Sequence, residues 1–212
     1  MSDGKRFVKI CGITRPDDAM AAADAGADAI GLNFYPPSPR FLTNDRAMEI
    51  AKATPDGILK FGVFVNETAD FIKKTFDEVG LDYAQLHGQE EPEFVKGLMI
   101  PILKSFSVKD EQVLVALKEY ALEWFLLDTW TKVLPGGSGL SFNWDIARRA
   151  GALGRVVLSG GLTPDNVVKA IAAANPYGVD VASGVESEPG VKDRDLVRRF
   201  VQEVREWDYQ TG

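Results

Sequence analysis

Eight short apolar runs, each followed by an amphipathic stretch, fill this chain from one end to the other. That alternation limits the fold more than any single motif does. The apolar, β-branched-rich runs lie near residues 6–11, 28–33, 58–65, 82–86, 100–105, 123–128, 155–159 and 177–182. The stretches with helical periodicity lie at 15–25, 43–53, 67–79, 90–97, 110–120, 142–150, 163–174 and 193–207. Strands that alternate with helices argue for a parallel sheet. Runs such as Val156-Val157-Leu158 are apolar without alternation, as strands covered on both faces are. An open doubly wound sheet has five to seven strands as a rule, and no Gly-x-Gly-x-x-Gly follows the first run. The expectation is therefore an α/β chain forming one (β/α)₈ TIM barrel over residues 1–212, near the minimal size for that fold. A hydrophobic fraction of 45% is enough to fill it. Pro16 after Thr14, and Thr163-Pro164-Asp165, read as helix starts, while Gly26 and Gly80 read as helix ends.

Composition removes several function classes. Net charge is −7 with no Lys/Arg cluster, so no nucleic-acid partner is expected. One Cys and one His exclude a disulfide framework and a His/Cys metal cluster, and no metal is expected. No apolar stretch approaches the ~18 residues of a spanning helix, so no membrane partner is expected. The first six residues lack a signal-peptide core, which makes the cytoplasm the expected location. Oligomeric state stays open between monomer and homodimer.

Barrel active sites sit at the C-terminal ends of the strands. That rule collects Cys11 from the first strand, Asn33 and the following Tyr35–Arg40 segment from the second, and His87 from the fourth. It adds Asp128 from the sixth, Ser159-Gly160-Gly161 from the seventh and Asp180 to Gly184 from the eighth. Each has a plain alternative. A lone Cys is often a small buried hydrophobe, a loop His an ordinary polar residue, Asp128 a cap and Arg40 a surface charge. Independent plain roles do not predict that all of them fall on one rim. Glycines let backbone N–H groups approach an oxyanion, and the loops after strands seven and eight are the recurrent barrel phosphate site. Gly160, Gly161, Asp180, Ser183 and Gly184 are accordingly read as a phosphate site, with a short extra helix after strand eight and a phosphorylated substrate, the alternative being two structural turns. Pro135 to Gly139, with Gly136, Gly137, Ser138 and Gly139, is either a lid over the substrate or a flexible turn.

Taken together these segments resemble phosphoribosylanthranilate isomerase, an enzyme family of tryptophan biosynthesis. The resemblance is carried in order by Lys9-Ile10-Cys11-Gly12-Ile13-Thr14, Phe34-Tyr35-Pro36-Pro37-Ser38-Pro39-Arg40 and Phe61 to Asn66. It continues through Gln85-Leu86-His87-Gly88, Leu127-Asp128-Thr129, Gly136 to Gly139, Leu158 to Leu162 and Val179 to Glu186. Two departures are visible: Ser138 stands where the family commonly has Thr, and Asn143 where it commonly has Asp. The resemblance implies a barrel that uses no cofactor and no metal. It implies an Amadori rearrangement of N-(5-phosphoribosyl)anthranilate to the 1-deoxyribulose 5-phosphate derivative. It also implies Cys11 as general base, Asp128 as general acid and Arg40 as the clamp for the anthranilate carboxylate.

Strand alternation puts Lys9 on the same barrel face as Cys11, where its charge is expected to favour the thiolate. The apolar Phe125-Leu126-Leu127 is compatible with an Asp128 that keeps its proton. His87 is expected near the substrate, without acid–base duty. Other phosphosugar barrels fit less well. An indole-glycerol-phosphate synthase wants a catalytic Lys/Glu set and a longer N-terminal extension, and a ribulose-phosphate epimerase wants a metal site that one His cannot supply. A histidine-pathway isomerase wants Asp where Cys11 stands. A barrel that only binds phosphosugars would have no need of both Cys11 and Asp128.

Overall fold

The computed structural model describes residues 5–128 and 138–211. The eight expected runs are eight parallel strands: β1 Phe7–Cys11, β2 Ala29–Asn33, β3 Leu59–Phe64, β4 Tyr83–Leu86, β5 Ile102–Ser107, β6 Trp124–Asp128, β7 Arg155–Ser159 and β8 Gly178–Val181. They close in sequence order, with β8 pairing back onto β1. The helices that cover them are α1 Pro16–Asp24, α2 Asn44–Ala53, α3 Ala69–Val79, α4 Pro92–Gly97, α5 Gln112–Tyr120, α6 Ser138–Ala150, α7 Val167–Ala174 and α8 Arg194–Thr211. The TIM-barrel expectation is met.

The pleat sorts each strand into two faces. Val8, Ile10, Ile30, Leu32, Val156 and Leu158 face the helix layer and belong to the large outer core. The alternate residues Phe7, Ala29, Phe61, Leu103, Trp124, Leu126 and Val157 fill the barrel's lower interior. Aromatic rings plug that end, with Phe61 stacked on Tyr83 at 4.8 Å and Phe7 edge-on to Trp124 at 5.3 Å. Above the plug the interior turns polar: Lys9, Gln85, Ser105 and Asp180 are all buried. One step further along the same faces lie Cys11, Asn33, His87, Asp128 and Ser159. The strand period thus delivers the reactive side chains to one end of a plugged tube.

Local chemistry sets the element ends. Thr43 and Thr68 cap α2 and α3 through their hydroxyls, and Gly80 closes α3 in the left-handed region at φ 70°. α7 begins later than Thr163, because Asn166 accepts from the Thr163 N–H and donates to Gly161 O, tying 163–166 into a turn. Ser138 and Gly139 stand in the first turn of α6, which corrects the glycine-rich loop expected there. Gly136 and Gly137 lie outside the described residues. After β8 comes a short 3₁₀ turn, Ser183–Val185, which meets the expectation of a short extra helix. It runs directly into an unexpected antiparallel ribbon, β9 Glu186–Glu188 and β10 Val191–Lys192. The ribbon's turn packs on the loops after β1 and β2: Thr14 donates to Gly190 O, and a Cβ on Gly190 would meet Pro39 O at 3.1 Å.

Candidate active site

The C-terminal end of the barrel opens into a cavity of about 310 Å³ lined by Cys11, Arg40, His87, Asp128, Asp180 and the two glycine loops. Of the residues singled out from the sequence, Cys11, Arg40, His87, Asp128, Gly160, Gly161, Asp180, Ser183 and Gly184 meet there, while Lys9 is not among the lining residues. Asn33, Val63 and Gln85 complete the walls and floor.

Cys11 is buried against the backbone of β2. A Cβ on Gly31 would lie 2.6 Å from Sγ and 3.1 Å from Lys9 Nζ, so the thiol and the ammonium flank the space that Gly31 leaves empty. Gly31→Ala is expected to cost about 1–3 kcal/mol through overpacking, read as a shifted denaturant midpoint with an unchanged slope. Burial is the main influence on the thiol and pushes its pKa up. Lys9 and Lys192 pull it down, Asp180 pushes it up, and the net direction is upward. This corrects the sequence expectation: Lys9 does sit beside Cys11, but desolvation outweighs its pull towards thiolate.

Lys9 is fully buried in the barrel interior and donates to Asp180 Oδ1 at 2.7 Å. Burial works to lower its pKa, but Asp180 and the Cys11 sulfur raise it further, so Lys9 stays charged. Asp180 also accepts from Ser159 Oγ at 3.3 Å. Asp180, read from the sequence with the phosphate loops, lines the cavity as a carboxylate whose oxygens face Lys9 and Ser159. Gly160, Gly161, Ser183 and Gly184 line the same cavity. Gly160 and Gly161 have φ of 97° and 65°, which glycine adopts freely. A Cβ on Gly184 would lie 1.8 Å from Leu162 O, so the loops after β7 and β8 touch only because residue 184 is glycine.

Arg40 reaches the cavity across Gly12, where a Cβ would clash with its Cδ at 2.3 Å. Gly12 itself has φ 76°. The loop carrying Arg40 is folded back by Leu42 N donating to Asn33 O at 2.8 Å and by Arg40 N donating to Ser38 Oγ at 3.1 Å. Its guanidinium grips Glu186 with two parallel bonds, Nε–Oε1 at 2.7 Å and Nη2–Oε2 at 2.6 Å. Lys192 donates to the same carboxylate at 2.9 Å and to Ala182 O at 3.0 Å. Burial raises the Glu186 pKa, but the two cations overcome it and hold the carboxyl below its ordinary value. Sequence reasoning missed Glu186 and Lys192 as site residues. Glu186 ends the quoted Val179 to Glu186 segment, but nothing in the sequence links it to Arg40, and Lys192 carries no motif.

Asp128 ends β6, and its side chain is 32% exposed, so the apolar Phe125–Leu127 neighbourhood does not enclose it. His87 Nε2 lies 3.8 Å from Asp128 Oδ2, too far for a hydrogen bond. Packing lowers the His87 pKa against the pull of Asp128, which leaves the imidazole neutral at neutral pH. The loop bearing His87 is held from below. Glu90 accepts from the Gly88 and Asn66 N–H groups, and buried Lys104 pairs with Glu90 at 3.1 Å while donating to Gly88 O at 2.9 Å. Among the described residues, no group of three or more His, Cys, Asp or Glu side chains could hold a metal ion. No helix among them is long and apolar enough to cross a membrane.

Comparison with known proteins agrees with this geometry. Residues 8–203 match the family described as N-(5'phosphoribosyl)anthranilate (PRA) isomerase. The N-(5'-phosphoribosyl)anthranilate isomerase of Pelobacter propionicus is 48% identical over 199 residues, covering 94% of this chain and 95% of that protein. The crystal structure of phosphoribosyl anthranilate isomerase from Thermotoga maritima superposes with a TM-score of 0.87 at 39% identity, covering 95% and 99% of the two chains. A further isomerase structure holds reduced 1-(o-carboxyphenylamino)-1-deoxyribulose 5-phosphate, with a TM-score of 0.85, 36% identity and the same coverage. With the fold, the ordered motifs and these relatives in agreement, the chain belongs to the N-(5'-phosphoribosyl)anthranilate isomerase family of tryptophan biosynthesis.

Proposed function

We propose that this isomerase works with Cys11 as general base and Asp128 as general acid, placed on strands three steps apart around the barrel. The observation that supports the reading is their shared cavity: a buried thiol and a partly exposed carboxyl face one space whose walls carry a guanidinium and two glycine turns. Asp128 gives a proton to the furanose ring oxygen. The anthranilate nitrogen pushes its electron pair towards C1′, and the C1′–O bond breaks with its pair on oxygen, leaving a protonated imine. The Cys11 thiolate takes the C2′ proton, and the released pair runs through C1′ to quench the iminium nitrogen. The resulting enol loses its hydroxyl proton as C1′ gains one, giving the ketone, so no atom is lost from substrate to product.

Binding follows from the same walls. The loops with Gly160, Gly161, Ser183 and Gly184 take the phosphate. Arg40 takes the anthranilate carboxylate with the edge of its guanidinium that Glu186 leaves unused. Arg40→Met is expected to raise KM by about 10–100-fold, the worth of a charge-assisted bond, while kcat changes only a few-fold. Glu186→Gln is expected to move KM in the same direction by less, since it loosens the guanidinium without removing it. Steady-state kinetics that follow anthranilate fluorescence test both. An unchanged KM with a collapsed kcat in Arg40→Met would place Arg40 in the chemistry instead.

A further inference from the structure

We infer that Lys9 and Asp180 form a buried charge couple that sets how readily Cys11 ionises, with Lys9 as a positioning residue and Asp180 as its counterweight. The inference deepens the reading of Cys11 as base and rests on it. Three observations carry it. Lys9 stands two residues before Cys11 on β1, so both side chains enter the barrel one layer apart. Lys9 Nζ and Cys11 Sγ flank the space left by Gly31. An ammonium has three donors, and Asp180 at 2.7 Å takes one of them, so Lys9 can serve the sulfur without leaving the carboxylate.

A fully buried lysine is costly to charge, and Asp180 and the Cys11 sulfur both favour its ammonium form, so the ammonium keeps the sulfur as a partner when Asp180 is neutralised. Asp180 therefore holds the cation in place and, as a like charge, repels the thiolate, and the repulsion is what Asp180→Asn removes. The other charges facing the thiol are Lys192 from β10 and, from the loop after β2, Arg40. Both are committed to Glu186. Lys9 is therefore the nearby cation that is not matched by Glu186. Abstraction of a carbon-bound proton calls for a strong base, and a buried thiolate is stronger than an exposed one provided a cation lets it form. The couple supplies that cation while limiting how far it lowers the base strength.

Cys11 is the chain's single cysteine, so its iodoacetamide alkylation rate against pH reports its ionisation without interference. Lys9→Met is expected to move the alkylation midpoint to higher pH, slowing alkylation at pH 7 by about tenfold or more. Asp180→Asn is expected to move it to lower pH, with alkylation at pH 7 faster by a similar factor. The acid limb of kcat/KM in each variant is expected to move with its thiol. A purely structural role would shift both variants the same way or leave both midpoints in place, and either result overturns the couple. If Lys9→Met leaves Asp180 too poorly compensated to fold, Asp180→Asn decides alone: an acid shift supports the couple, and an unmoved or alkaline midpoint overturns it. Because alkylation reads the thiol and not turnover, these outcomes stand even if a Cys11→Ala variant were to keep its activity.

Discussion

Replacing Cys11 by alanine is expected to lower kcat by about 10²–10⁴-fold, the usual worth of one general base, with KM nearly unchanged. The substitution removes one sulfur from the cavity floor and leaves Arg40, the glycine loops and every ion pair in place, so substrate still binds. The thiol is held up from its ordinary value, chiefly by burial. With the thiolate as the proposed base, kcat/KM is expected to rise as pH climbs through that raised pKa. The limb is expected above the ordinary thiol value of about 8.5. Thermal melts of wild type and variant should nearly coincide, which separates lost chemistry from lost structure. Turnover close to wild type in Cys11→Ala, or a pH limb well below the thiol range, would remove Cys11 from the role of base.

Asp128→Asn carries the second large expectation. Asparagine keeps the size and planarity of the side chain but has no acid proton to give, so the furanose ring oxygen must leave without protonation. A fall in kcat of about 10²–10⁴-fold follows. Binding should survive, because Asp128 belongs to neither the phosphate loops nor the Arg40 clamp, and a fluorescence titration of the product-like ligand measures it directly. His87 stands 3.8 Å from Asp128 and is neutral near pH 7, so it offers no ready replacement acid. A variant that kept turnover while losing affinity would show that Asp128 binds the sugar instead of protonating it.

Much of this molecule was legible from the chain because the controlling physics is local. The eight runs became eight strands, since a strand covered on both faces must be continuously apolar and a helix beside it must be amphipathic. The rim residues followed, since a parallel barrel places every strand's C-terminal end on one side. Lys9 and Cys11 share a face because side chains alternate. What the chain did not reveal clusters where a distant partner or a local side-chain bond intervenes. Asp180 reads from the sequence as a residue near the end of β8, grouped with the phosphate loops, and its pairing with Lys9, 171 residues away, is visible only in the fold. Arg40 was legible as a cation but not as one already braced by Glu186, 146 residues on. Thr163 looked like a helix cap until Asn166 tied it into a turn.

The amino-acid sequence by itself determined the barrel and the gathering of Cys11, Arg40, His87 and Asp128 at one end of it, because periodicity and strand ends are written residue by residue. Only the tertiary structure decided how the charges are shared: Lys9 with Asp180, Arg40 and Lys192 with Glu186, Lys104 with Glu90. It also decided that burial, and not the neighbouring lysine, dominates Cys11. Electrostatic energy depends on separation through space and on the water excluded between groups, and neither quantity exists until the chain has closed on itself.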